Sequence, residues 1–187
     1  MAQIKRKTLL NILLIGVVLS FFVTPLGHHS KLLLMELFAF APSELPQGER
    51  PTLASYDWTL KDASWEFFNF RQSQDRVVVL NFWASWRLPC LPELRSMQAL
   101  YEDYAGKVDF YIITDEEREP VEAFMEEHGF TFPVTYLIIG EPSPVETQDP
   151  PRSYVIDRNG AIVVAEEGIS DWDSRKVRDL LDRLLRQ

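Results

Sequence analysis

One cysteine, Cys90, stands in a chain of 187 residues. A single thiol excludes an internal disulfide and any cysteine-rich zinc site. Histidine is scarce as well: there are three, and two are adjacent as His28-His29. That leaves little with which to build a catalytic metal site, so neither a metal nor a cofactor is expected. Basic charge is also in deficit. Residues 1–49 hold four Lys/Arg and three Glu, a net +1, and residues 50–187 hold 15 Lys/Arg against 25 Asp/Glu, a net -10. Nucleic-acid binding by counterion release needs a basic patch, so this class of partner is excluded for the acidic part of the chain. What remains is an ordinary globular composition, 46% apolar and 25% charged, long enough for a short targeting segment and one domain with its own core.

Charge of either sign is absent from Thr8 to Ser30, 23 residues that follow Lys5-Arg6-Lys7. About 20 apolar residues in a helix span a bilayer, and a basic cluster before them stays in the cytoplasm. Residues 1–30 are therefore expected to be a cytoplasmic basic tip and a transmembrane anchor, contacting the membrane through residues 8–30. The rest of the chain is then extracytoplasmic, on the periplasmic side. The small-x-small site Ala39-Phe40-Ala41 lies far from the apolar run and precedes Pro42, which argues against a cleaved signal peptide. Residues 31–53 read as a juxtamembrane segment and a Pro-rich spacer, since Pro42 to Pro51 contains three prolines.

The domain is expected over residues 54–187. Alternating stretches at Tyr56–Leu60 and Trp65–Phe70 predict a hairpin. Apolar runs at Arg76–Phe82, Val108–Thr114 and Phe132–Ile139 predict strands. A further strand pair is expected at Arg152–Asp157 and Ala161–Ala165, joined by the tight turn Arg158-Asn159-Gly160. Helices are expected from Pro92 to Tyr104, from about Asp115 to His128, and from Arg175 to Leu185. In the last, Val177, Leu180, Leu181, Leu184 and Leu185 form one apolar stripe. The acidic run Asp115-Glu116-Glu117-Glu119 reads as a solvated helix start, because it lacks the alternating ligands and glycine of a calcium loop. The order predicts an α/β domain, a mixed central sheet with helices on both faces.

The most specific stretch is Asn81-Phe82-Trp83-Ala84-Ser85-Trp86-Arg87-Leu88-Pro89-Cys90, at a strand-to-helix junction. It resembles the active-site segment of the thioredoxin superfamily, in particular the membrane-anchored TlpA/ResA-like thiol-disulfide oxidoreductases. Their pattern runs Asn-Phe-Trp-Ala-Ser/Thr-Trp-Cys-Pro-Pro-Cys. Pro151 before a strand and Ile156-Asp157-Arg158-Asn159-Gly160 occur in the order this family requires. The resemblance implies a thioredoxin-like fold from about Ala54 onward. It also implies a cis-proline at Pro151, and an apolar groove of Trp86, Pro89 and Pro151 where an extended peptide adds as a strand. Trp83 is assigned to the core.

The pattern departs from the family at two positions. Arg87 replaces the first, attacking cysteine, and a guanidinium is neither a nucleophile nor a redox group. Asn81 occupies the place of the aspartate that helps deprotonate the second cysteine in thioredoxins. Disulfide exchange needs an attacking thiolate and a resolving thiol, so the two-cysteine cycle is excluded. Cys90, the candidate thiol, is expected about one turn into the helix, where the dipole and Arg87 favour its thiolate but access is poor. Two versions stay open: weak or single-thiol redox chemistry at Cys90, and a non-catalytic module that binds a peptide or protein. The partner is an extracytoplasmic protein or peptide with a thiol or an extended segment. A one-cysteine peroxidase is a third reading, but its Thr-x-x-Cys pattern requires threonine where Arg87 stands.

Overall fold

The structure, a computed structural model, describes residues 6–187. Residues 1–5, the start of the expected basic tip, lie outside the described residues, whereas Arg6 and Lys7 of its basic cluster begin the first helix. The chain divides into two compact units, Met1–Phe38 and Ala39–Gln187.

The first unit is two helices, α1 (Arg6–Val23) and α2 (Pro25–Leu37). The predicted uninterrupted helix over residues 8–30 is broken at Thr24. Thr24 caps α2, accepting from Gly27 N at 3.2 Å, and Pro25 opens the helix where its missing N–H costs nothing. The break is close-packed: a Cβ on Gly27 would lie 2.0 Å from the carbonyl oxygen of Phe21. At 1.5 Å per residue, α1 reaches about 27 Å. Among the described residues no helix is long and apolar enough to cross a membrane.

The second unit is a seven-stranded sheet with three α-helices. In chain order it comprises β1 (Thr59–Lys61), β2 (Phe67–Asn69), β3 (Val78–Phe82), α3 (Cys90–Tyr104), β4 (Asp109–Thr114), α4 (Arg118–His128), β5 (Val134–Tyr136), β6 (Arg152–Ile156), β7 (Ile162–Glu167) and α5 (Arg175–Leu185). The strand order is β2-β1-β5-β4-β3-β6-β7. Strands β3, β4 and β5 are parallel, and the pairs β1–β2, β1–β5, β3–β6 and β6–β7 are antiparallel. A mixed sheet is therefore present as expected.

The helices are not placed as expected. Side chains alternate along β3 and the residues that flank it: Val77, Val79 and Trp83 join one buried cluster with Leu94, Met97 and Leu100 of α3, Val121 of α4 and Leu181 of α5. Val78, Leu80 and Phe82 join a second cluster that contains no residue of α3, α4 or α5. The steps β3-α3-β4 and β4-α4-β5 move the same way across the sheet, and right-handed crossovers then put both helices on one face. The opposite face is covered by Leu45, Leu53, Trp58, Phe70 and Leu137.

That covering corrects the expected domain boundary. The Pro-rich stretch is not a free spacer. Leu45 N donates to Val163 O, Ile162 N donates to Pro51 O, and Glu44 and Thr52 bridge to Val164 and Ala161. It lies along the outer edge of β7 and protects a strand edge that would otherwise be unpaired. The compact unit thus starts at Ala39 rather than Ala54. The β6–β7 turn closes on this segment too. Gly160 has φ +79, and a Cβ there would sit 3.3 Å from the Tyr56 hydroxyl.

Candidate functional site

The candidate site lies at the C-terminal ends of β3 and β4, where parallel strands open toward solvent. The chain leaves β3 at Phe82, passes Trp83 and Ala84 in the core, and turns through Ser85 to Pro89 before α3 begins at Cys90. Glu116 secures the turn: its carboxylate accepts from Ser85 N at 2.5 Å and Ser85 Oγ at 2.6 Å. Helix α4 starts only at Arg118, so Glu116 is not part of a solvated helix cap as expected but a brace between the β4 end and the turn.

Cys90 is the first residue of α3 rather than a residue one turn inside it. The position favours a thiolate by backbone charge, but the side chain is fully buried in the helix-side core. Burial dominates and pushes the thiol up to about 12. The backbone of Ala84 and the charge of Arg87 pull it down, and Glu93 and Glu116 push it further up. Cys90 is a packed, neutral thiol at neutral pH.

Arg87 lies in the turn before α3. Its Nη2 donates to Asp149 Oδ1 at 3.0 Å, and its guanidinium lies 5.2 Å from the Trp86 ring centre. Trp86 is 71% exposed. Asp149 adopts φ 56, a left-handed conformation that Asp tolerates better than most side chains. The next peptide bond, Pro150–Pro151, is cis, as expected for Pro151.

A cavity of about 260 Å³ lies between these two segments, lined by Trp83, Trp86, Arg87, Leu137, Asp149 and Pro150 among others. Of the expected groove residues, Trp86 lines it, whereas Pro89 and Pro151 do not. Pro151 is buried, and its carbonyl already accepts from Gly168 N at 2.9 Å. The open wall is instead Thr147 to Pro150, just before the cis bond. Cys90 does not line the cavity either.

One residue of the site escaped sequence reasoning. Glu93 follows Cys90 by three positions and is only 1% exposed. Its Oε1 accepts from Asn81 Nδ2 at 2.9 Å, Ser153 Oγ at 2.7 Å and Trp172 Nε1 at 3.1 Å, and its Oε2 accepts from Ser170 N at 3.2 Å. Burial pushes its carboxyl up to about 7 even though these donors favour the ion. Asn81 is thus a donor to a buried carboxyl rather than a stand-in base. The only available sequence signal was the i, i+3 spacing that places Glu93 near Cys90 on α3. A glutamate in a first helical turn otherwise reads as a surface partner of the helix dipole. Among the described residues no group of three or more His, Cys, Asp or Glu is arranged to hold a metal.

Comparison with known proteins agrees with this geometry. Thioredoxin-like protein YneN of Bacillus subtilis is 29% identical over 110 residues, 57% of this chain and 65% of YneN. The thiol-disulfide oxidoreductase ResA of Oceanobacillus iheyensis is 34% identical over 127 residues, 64% of this chain and 66% of ResA. The chain thus spans slightly less than two thirds of the length of these relatives. Among solved structures, a DsbF homologue from Corynebacterium diphtheriae superposes with a TM-score of 0.57 at 20% identity, covering 75% of this chain and 92% of that one. A secreted thiol-disulfide isomerase from Corynebacterium glutamicum gives 0.57 at 20% identity, covering 77% and 89%. These likenesses carry the fold, a thioredoxin-like α/β fold of the kind found in thiol-disulfide oxidoreductases. The AhpC/TSA family profile matches residues 53–165, from the segment that covers the sheet to the end of β7's apolar half, and the chain belongs to that family.

Proposed function

We propose that this protein is a membrane-anchored, extracytoplasmic thioredoxin-like module that binds an extended peptide or protein segment and does not turn over disulfides. The observation that carries this reading is where the two positions of the family's Cys-x-x-Cys pair, Arg87 and Cys90, lie. Arg87 lines the open cavity and has no redox chemistry. Cys90 is buried away from the cavity, with its thiol pushed up to about 12. Of the two versions open at the level of sequence, burial of Cys90 favours the binding module over single-thiol chemistry. A one-cysteine peroxidase also needs an accessible thiolate, and Cys90 supplies neither access nor ionisation.

Anchoring is part of the proposal, with residues 8–30 as the membrane segment and the remainder outside the cytoplasm. What supports it is the uncharged run from Thr8 to Ser30 and the exposure of Leu9, Leu13 and Val17 around α1, an apolar surface on successive turns that water does not favour. The cavity and the exposed Trp86 give an apolar platform for a partner.

The test is dithiothreitol-driven insulin reduction by the full chain, comparing the natural protein, Cys90→Ser and Arg87→Cys. The natural protein and Cys90→Ser are expected at background, with Arg87→Cys alone showing turnover. Cys90-dependent turnover by the natural chain would restore the single-thiol reading. In parallel, a thiol-free extended peptide is expected to bind the natural chain, and Trp86→Ala is expected to weaken it about tenfold.

A further inference from the structure

We propose that Arg87 and the cavity beside it form a receptor for a single carboxylate on the bound segment, and that Asp149 occupies this receptor as an internal stand-in. The inference rests on the peptide-binding reading and names what that site selects.

Two residues that line the cavity each carry a buried donor without a partner: Nε of Arg87 and Nε1 of Trp83, which is itself 1% exposed. Unpartnered buried donors are costly, and both call for an acceptor rather than for another cation. Arg87 has committed Nη2 to Asp149 at 3.0 Å and is steadied by the Trp86 ring. A guanidinium presents a fork that one carboxylate can fill from two nitrogens, which the single bond to Asp149 does not do.

The Arg87–Asp149 pair is asymmetric, and the asymmetry decides which partner is exchangeable. The Asp149 side chain is 69% exposed and that of Arg87 is 32% exposed. An incoming acid releases Asp149 into water, where it is already mostly hydrated. An incoming base would instead strip the half-buried Arg87 of its partner, which is the costlier exchange. Exposed ion pairs contribute little net stability, so the internal pair is a weak competitor. The remaining charge at the cavity is Asp115, and residues 50–187 carry a net charge of -10. That background repels polyanions. The ligand that fits is therefore an apolar segment with one carboxylate, which lays its apolar part on Trp86 and its acid on Arg87.

The experiment measures binding of a short apolar peptide to the full chain by calorimetry, in three forms: free C-terminal acid, C-terminal amide, and amide with one internal glutamate. A charge-assisted contact is expected to make at least one carboxylate form bind about tenfold or more tighter than the plain amide. Whichever acid form gains identifies the source, chain end or side chain. Arg87→Gln is expected to abolish the acid-to-amide ratio, and Arg87→Lys to restore part of it. Asp149→Asn is expected to raise that ratio several-fold, because the internal competitor is gone. Equal binding of all three peptides would overturn the carboxylate receptor while leaving peptide binding in place. If no peptide binds but acetate still competes with Asp149 for Arg87 in titration of the guanidinium NMR signals, the receptor stands and peptide binding fails. Loss of acid binding in Asp149→Asn would also overturn the inference, since it would make Asp149 a partner of the ligand and not its rival.

Discussion

Glu93, three residues after Cys90, and Arg87, three residues before it, are both ionisable side chains, yet they live in opposite environments. Glu93 receives four hydrogen bonds from β3, β6 and the segment leading to α5. Arg87 makes one bond to an exposed aspartate on a loop. The first cluster is closed: Glu93 is 1% exposed and its partners are buried around it. The second is open and only partly satisfied. The interior half of the thioredoxin-like motif is thus built as structure. The outer half is built as surface, with a cation, Arg87, at its exposed end.

The comparison is broken most severely by removing Glu93. Glu93→Ala removes the acceptor of the Ser153, Ser170 and Trp172 donors and one of the two acceptors of Asn81 Nδ2, and the expected loss is about 3–5 kcal/mol in chemical denaturation. The pH dependence sharpens the same point. The folded carboxyl lies near 7 and the ordinary value is 4.5, so the folded state holds this proton more tightly than the unfolded state. The associated stability is fully present below about pH 4.5 and is lost as pH rises through 7, by about 3 kcal/mol. Glu93→Gln is expected to flatten that slope, read as unfolding midpoints from pH 4 to pH 8. On the open side, Asp149→Asn is expected to change stability by less than about 1 kcal/mol. A larger loss in the same denaturation series would mean that the Arg87 pair is also structural.

Much of the fold was legible because the elements are locally consistent. The α5 stripe, the apolar run of β3 and the Asp157 to Gly160 turn each show their period or turn chemistry within a few residues. What escaped depends on distant parts of the chain. Nothing within residues 42–51 signals that they line the edge of β7, because backbone hydrogen bonds to a strand leave no side-chain pattern. The one-sided placement of the helices follows from strand order, which β5 fixes by pairing next to β4. At the site, the arginine at position 87 could be read directly, and the cis bond followed from the motif. The burial of Glu93 could not be read, since Ser170 and Trp172 close over it from nearly eighty residues away.

The central claim is that the remaining thiol is a packed, neutral group and not a nucleophile. It is tested by the rate of Cys90 alkylation by iodoacetamide in the native full chain as a function of pH. A thiol pushed up to about 12 predicts a rate at pH 7 roughly a thousandfold below that of free cysteine, still rising at pH 10 without a plateau. A rate near that of free cysteine, levelling off below pH 8, would contradict the account and return Cys90 to chemistry.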